Sequence, residues 1–182
     1  MLCKPINGES IKMYKIGLKR MFSVFNADLE LFISVFHEWI QKNKISNHIM
    51  VDVADYKHIQ DGPGIMLITH EGNFSIDFEN GKAGLLYTRK QALGKDIVDN
   101  IKIITSIVDH ACKLLENSDV LKGKINFNNQ YKIISNDRYY FPAGKEFEKK
   151  FMEYSRQAFE NANLILGETY SGSRTNIKID KK

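Results

Sequence analysis

Between residues 52 and 89 the sequence concentrates side chains able to hold a charged ligand or move a proton. Asp52, Asp55, His58 and Asp61 lie in VDVADYKHIQDGPG, and His70, Glu71 and Asn73 follow a short apolar run in THEGNFSID, with Asp77 close behind. Arg89 and Lys90 end the segment LLYTRK. Carboxylates beside imidazoles suit a divalent cation or acid–base work, and His70-Glu71 pairs a ligand or base with a carboxylate to orient it. The guanidinium of Arg89 suits an anion. Asp52 is the sharpest of these signals. It interrupts the apolar stretch IMVDVA, and a carboxylate there has to lie at an exposed edge or find a partner.

Each residue also has an ordinary reading. Side chains alternate along a strand, so Asp52 and Asp55, three apart, face opposite ways unless a bulge intervenes. His58 and Asp61 fall in a turn, while His70 and Asn73 suit the hydrogen bonding of a tight loop. His37 falls at the rim of a helical stripe, where a histidine is usually structural, and Trp39 falls in the stripe itself and belongs to the core. Asn136-Asp137-Arg138 can brace a loop through local hydrogen bonds or add Arg138 to an anion site. GxGxxG, P-loop, HExxH, GxSxG, paired CxxC and EF-hand patterns are absent. Gly62-Pro63-Gly64 precedes a strand rather than a helix, so it reads as a turn and not as a phosphate loop.

Three segments have the period of amphipathic helices. Leu29, Phe32, Ile33, Phe36, Trp39 and Ile40 form one apolar stripe, in a helix that starts near Asn26-Ala27-Asp28 and stops around Asn43. Ile97, Ile101, Ile104, Val108, Ala111 and Leu115 mark a second, over about 94–116, and Phe147, Phe151, Tyr154 and Ala158 a third, over about 145–161. Strands are predicted at 14–22, 48–56, 65–69, 85–88, 125–128, 131–135 and 176–180. Asn80-Gly81 marks a hairpin and Asn128-Asn129 a further turn. Short links between neighbouring strands favour antiparallel pairing. The expected architecture is a two-layer α+β sandwich: a mostly antiparallel sheet with three helices packed on one face. If the strands bearing the polar residues are neighbours in a meander, their ends gather Asp52, Asp55, His58, His70, Glu71, Asp77 and Arg89 at the sheet edge.

With 182 residues, 43% of them hydrophobic, the chain has the size and composition of one globular domain, with residues 1–12 a loose N-terminus and 181–182 a tail. Cys3 and Cys112 are its two cysteines, which fits a reducing, cytoplasmic setting and leaves out a cysteine-rich zinc site. No apolar run reaches the length of a membrane span, and the first twenty residues lack a signal-peptide pattern. The net charge of +4 comes from basic ends: residues 1–20 carry five basic side chains and one acidic, whereas residues 21–80 carry three basic and nine acidic. No cluster of Lys and Arg is interleaved with aromatic residues, so nucleic acid is not expected as a partner.

The segments FHEWIQ (36–41), MVDVADYKHIQDGPGIMLITHEGNFSID (50–77), GLLYTRK (84–90) and SNDR (135–138) together resemble a family of bacterial proteins to which no activity is assigned. Thr69 stands where that pattern has glycine. The resemblance implies a bacterial, cytoplasmic, single-domain protein and makes Asp52, Asp55, His58, His70, Asp77 and Arg89 the first residues to test. It carries over no catalytic residue, cofactor or metal. The residues themselves favour a non-enzymatic binding or regulatory domain for a small ligand or a protein partner, because no catalytic constellation is complete. The alternative is a small metal-assisted or acid–base hydrolase built on the 52–89 cluster. An assembly-forming role requires an exposed apolar patch, which sequence does not display.

Overall fold

The computed structural model describes residues 15–136, 144–167 and 175–181. The elements run β1 (Ile16–Phe25), α1 (Leu29–Lys42), β2 (Met50–Asp55), β3 (Pro63–Thr69), β4 (Gly72–Asp77), β5 (Gly84–Arg89), α2 (Ile97–Glu116), β6 (Ile125–Ser135), α3 (Lys145–Ala158), β7 (Ala162–Leu166) and β8 (Asn176–Lys181). The eight strands form one sheet in the order β2-β3-β4-β5-β1-β6-β8-β7, antiparallel at every step. This is the two-layer α+β architecture expected from the sequence.

The helices arise from their apolar spacing and their caps. Phe32, Val35, Phe36 and Trp39 bury one face of α1, which ends where Asn43 adopts a left-handed conformation (φ 46°). Its N-cap is Asp28. The carboxylate of Asp96 accepts the Asp99 amide at 2.9 Å and starts α2. Its buried stripe, Ile97, Ile101, Ile104, Val108, Ala111, Cys112 and Leu115, is the one the spacing predicts. Phe147 and Phe151 anchor α3. All three helices cover one face of the sheet and share a single core with Ile16, Leu18, Leu67, Phe74, Tyr87, Ile133 and Ile177. Among the described residues the opposite face carries no helix.

Three strand assignments differ from the sequence reading. GNFSID forms a strand, β4, because Phe74 and Ile76 alternate into the core; its polar residues hide that pattern. The hairpin at Asn80-Gly81 does form, with φ of 58° and 67° at the two residues, and it joins β4 to β5. Asn128-Asn129 is no turn, for β6 runs through it. The Asn128 carbonyl accepts Arg20 Nε at 2.9 Å and its side chain accepts the Gln130 amide at 2.9 Å. The irregularity becomes a register shift against β1. Finally, β7 follows α3 directly and pairs with β8. The predicted loose N-terminus with Cys3, together with Asp137 and Arg138, lies outside the described residues.

Candidate functional site

The strands β2 to β5 are neighbours, as the meander requires, but their polar residues separate to two ends and two faces. Gly72 pairs with Arg89 at one end of the β4–β5 ladder and Asp77 with Gly84 at the other. Five residue steps set these ends about 17 Å apart. His70 and Glu71 accompany Arg89. His70 is 60% exposed, with Nδ1 3.5 Å from Glu71. Asp55 and His58 lie toward the other end and are exposed. The Lys57 amide, 2.9 Å away, holds the Asp55 carboxyl below its usual range, and the Lys57 ammonium adds to this at 3.2 Å. Asp52 is exposed on the edge strand and accepts the Val53 amide at 2.8 Å. The seven residues therefore do not form one site. Among the described residues no three His, Cys, Asp or Glu side chains come together as a metal would need.

Arg89 belongs to a closed network that includes His48 and Tyr87, neither of which the sequence had marked. His48 Nδ1 lies 3.1 Å from the Ser46 carbonyl. A carbonyl only accepts, so Nδ1 carries the proton and Nε2 accepts the Tyr87 hydroxyl at 2.8 Å. That hydroxyl in turn accepts from Arg89 at 3.1 Å, and Arg89 Nε donates to the Gln91 carbonyl at 2.8 Å. Burial lowers the basicity of His48 and raises the Tyr87 hydroxyl above its ordinary range. Glu71 accepts the Ile49 amide at 2.8 Å. Burial works to raise its carboxyl, but hydrogen bonds from that amide and its own bring it below the usual range. Gly72 makes room for the network, since a Cβ there would lie 2.6 Å from the Tyr87 oxygen. Tyr87 is fully buried, and the network ties the α1–β2 link to the sheet.

The helix-free face carries the better site. Lys19 on β1 points away from Ile16 and Leu18, yet it is only 1% exposed. Its ammonium reaches across β5 to Asp77 at 2.5 Å and to the Lys82 carbonyl at 2.5 Å. Gly84 clears the route, because a Cβ there would stand 2.8 Å from Lys19 Cε. Burial lowers the basicity of Lys19 against the opposing pull of Asp77. Beside it Lys132 donates to Glu79 at 2.6 Å. Lys19, Glu79 and Lys132 border a concavity of about 440 Å³, which Lys82, Lys178, Met21 and Ile165 extend across β1, β6, β8 and β7.

Glu79 at this concavity is already committed to Lys132, and the Lys19 ammonium is held by Asp77. Lys82 and Lys178 are exposed and make no ion pair among the described residues. Asp180 is the acidic group left at the rim. The floor supplies ammonium donors and the Asn163 and Asn176 amides, while Met21 and Ile165 offer apolar contact. Such a surface can take an anion with a small apolar portion. Only Asp77 of this site was singled out in the sequence. A lysine alternating with Ile16 and Leu18 on a strand reads as solvent-facing, and the one cue to the contrary is the small residue Gly84 at the start of GLLYTR.

No family model matches the chain, and among curated proteins none matches it significantly. No helix of the described residues is long and apolar enough to cross a membrane.

Proposed function

We propose that this protein is a binding domain for small anionic ligands, which it takes on the helix-free face of its sheet. The observation that carries this reading is the placement of Lys19. A lysine on a sheet face that carries no helix among the described residues ordinarily extends into water, and burying a cation is costly even when it is paired. Here the chain buries one at the floor of a 440 Å³ concavity and surrounds it with Lys82, Lys132 and Lys178. The buried pair fixes the floor, and the exposed ammonium groups supply charge to a ligand. The bacterial, cytoplasmic setting that the motif order implies is one rich in phosphorylated and carboxylated metabolites.

The hydrolase alternative draws less support, because no three of the His, Asp and Glu side chains come together among the described residues and Arg89 is engaged by Tyr87 and Gln91. A thermal-shift series with inorganic phosphate, citrate, sugar phosphates and nucleotides tests the proposal. A ligand at about one hundred times its Kd stabilises by about 2.7 kcal/mol, a readily measured rise in Tm. The rise disappears in Lys132→Glu/Lys178→Glu if the concavity is the site. No response to any anion, or a response that survives the double variant, overturns the reading.

A further inference from the structure

Among the described residues the sheet has two edges, and they are built differently. At the β2 edge the strand MVDVAD carries Asp52 and Asp55 and has a register shift against β3 between Met50 and Asp52. Charges and irregularities of this kind keep an edge from pairing with another strand. Two copies of β2 side by side would line four carboxylates along one seam, which like-charge repulsion disfavours. At the β7 edge the strand is ANLIL, with no charge, no proline and no register shift against β8. Ile165 is 57% exposed and Leu166 40% exposed, one on each face of the sheet.

Hydrogen-bond parity makes this edge self-complementary. The Gly167 amide donates to the Asn176 carbonyl at 2.9 Å, one step beyond the Leu166–Ile177 pair. Residues 163, 165 and 167 therefore turn their backbone groups toward β8, and Ala162, Leu164 and Leu166 turn theirs outward. The Ala162 amide is used by the Phe159 carbonyl at 3.3 Å. An antiparallel copy centred on Leu164 meets this pattern well. The two Leu164 residues exchange a pair of bonds, and each Leu166 amide finds the other copy's Ala162 carbonyl, leaving the committed Ala162 amide out of the ladder. Asn163 then stands opposite the other copy's Ile165 on the helix-free face.

We infer that β7 is a homodimerisation edge, which joins two copies of this chain by a two-fold axis through Leu164 into one continuous sheet. The contact is isologous and closes at two copies. Asn163 and Ile165 also line the concavity on the helix-free face, so the seam brings the two concavities together. The inference stands whether or not an anion binds there.

Sedimentation equilibrium of the full chain through the micromolar range tests it, with Ile165→Lys and Val51→Lys as paired variants. Both residues are exposed in the monomer, so a lysine at either position is compatible with the fold. The expected result is a mass near 42 kDa, twice the 21.0 kDa chain, for the natural protein and for Val51→Lys. Ile165→Lys is expected at the monomer mass. Hydrogen exchange supplies a second reading: the Leu164 and Leu166 amides are protected at high concentration and lose protection on dilution. A monomeric natural protein overturns the inference. So does a dimer that Val51→Lys breaks or Ile165→Lys spares, an open-ended assembly, or an intermediate mass from a segment of another protein on that edge.

Discussion

The sheet carries a buried polar cluster on each face, and the two are satisfied in different ways. Under the helices, His48, Tyr87 and Arg89 form a chain in which the Tyr87 hydroxyl serves one neighbour as donor and the other as acceptor. The chain begins and ends on backbone carbonyls, those of Ser46 and Gln91. On the helix-free face, Lys19 and Asp77 are as deeply buried, but the cluster borders a concavity and continues into exposed lysines. The first arrangement tells an element where to sit. The second leaves charge available at a surface, which is what recognition needs. Burial of polar groups is thus no mark of function by itself; what adjoins the cluster decides.

Breaking the two clusters should expose this difference. The largest effect is expected for Asp77→Ala, which strands a buried ammonium and should cost about 3–5 kcal/mol in urea denaturation. Lys19→Met/Asp77→Leu removes both charges and should recover most of that stability, while abolishing the anion-induced rise in Tm. Tyr87→Phe follows, at about 1–3 kcal/mol, because His48 and Arg89 each lose a partner in a buried place. It should leave the anion response intact, and loss of that response would show the two faces to be coupled.

A smaller effect concerns pH. Burial depresses the basicity of His48 below its ordinary value of 6.5, so the folded state prefers the neutral ring more than the unfolded chain does. The associated stability is complete above 6.5 and is lost as the pH falls through the lower, folded value. In His48→Gln, whose amide can still accept the Tyr87 hydroxyl and does not titrate, that part of the acid-side decline should vanish from thermal melts between pH 7 and 5. The smallest change in stability is expected for Lys178→Ala, within about 0.5 kcal/mol for an exposed side chain. Its effect should appear instead as weaker anion binding, by calorimetry at low ionic strength.

The sequence made the helices and much of the meander legible because both rest on local periodicity. The stripe in α2 and the turn at Asn80-Gly81 are visible in a few consecutive residues. The strands β4 and β7 were less legible. One alternates Asn73, Ser75 and Asp77 with Phe74 and Ile76, and the other follows a helix and pairs only with the last described strand. Of the seven residues first marked for chemistry, Asp77 reached the proposed site, Arg89 and Glu71 joined or flanked the buried network, and Asp52, Asp55, His58 and His70 remained at the surface. Type and spacing could mark these groups as polar but could not supply their partners. Lys19 and Asp77 are fifty-eight positions apart in the chain.

By itself, then, the sequence determined the class of fold, the faces its helices bury and the alternation that sends Lys19 to the side away from Ile16 and Leu18. These follow from helical and strand periods that each segment carries alone. Only the tertiary structure decided that this side is concave, that Gly84 lets Lys19 cross to Asp77, and that β7 rather than β2 is the uncharged edge. Strand order and register bring distant residues within reach, and a buried charge takes its meaning from whichever neighbours they deliver.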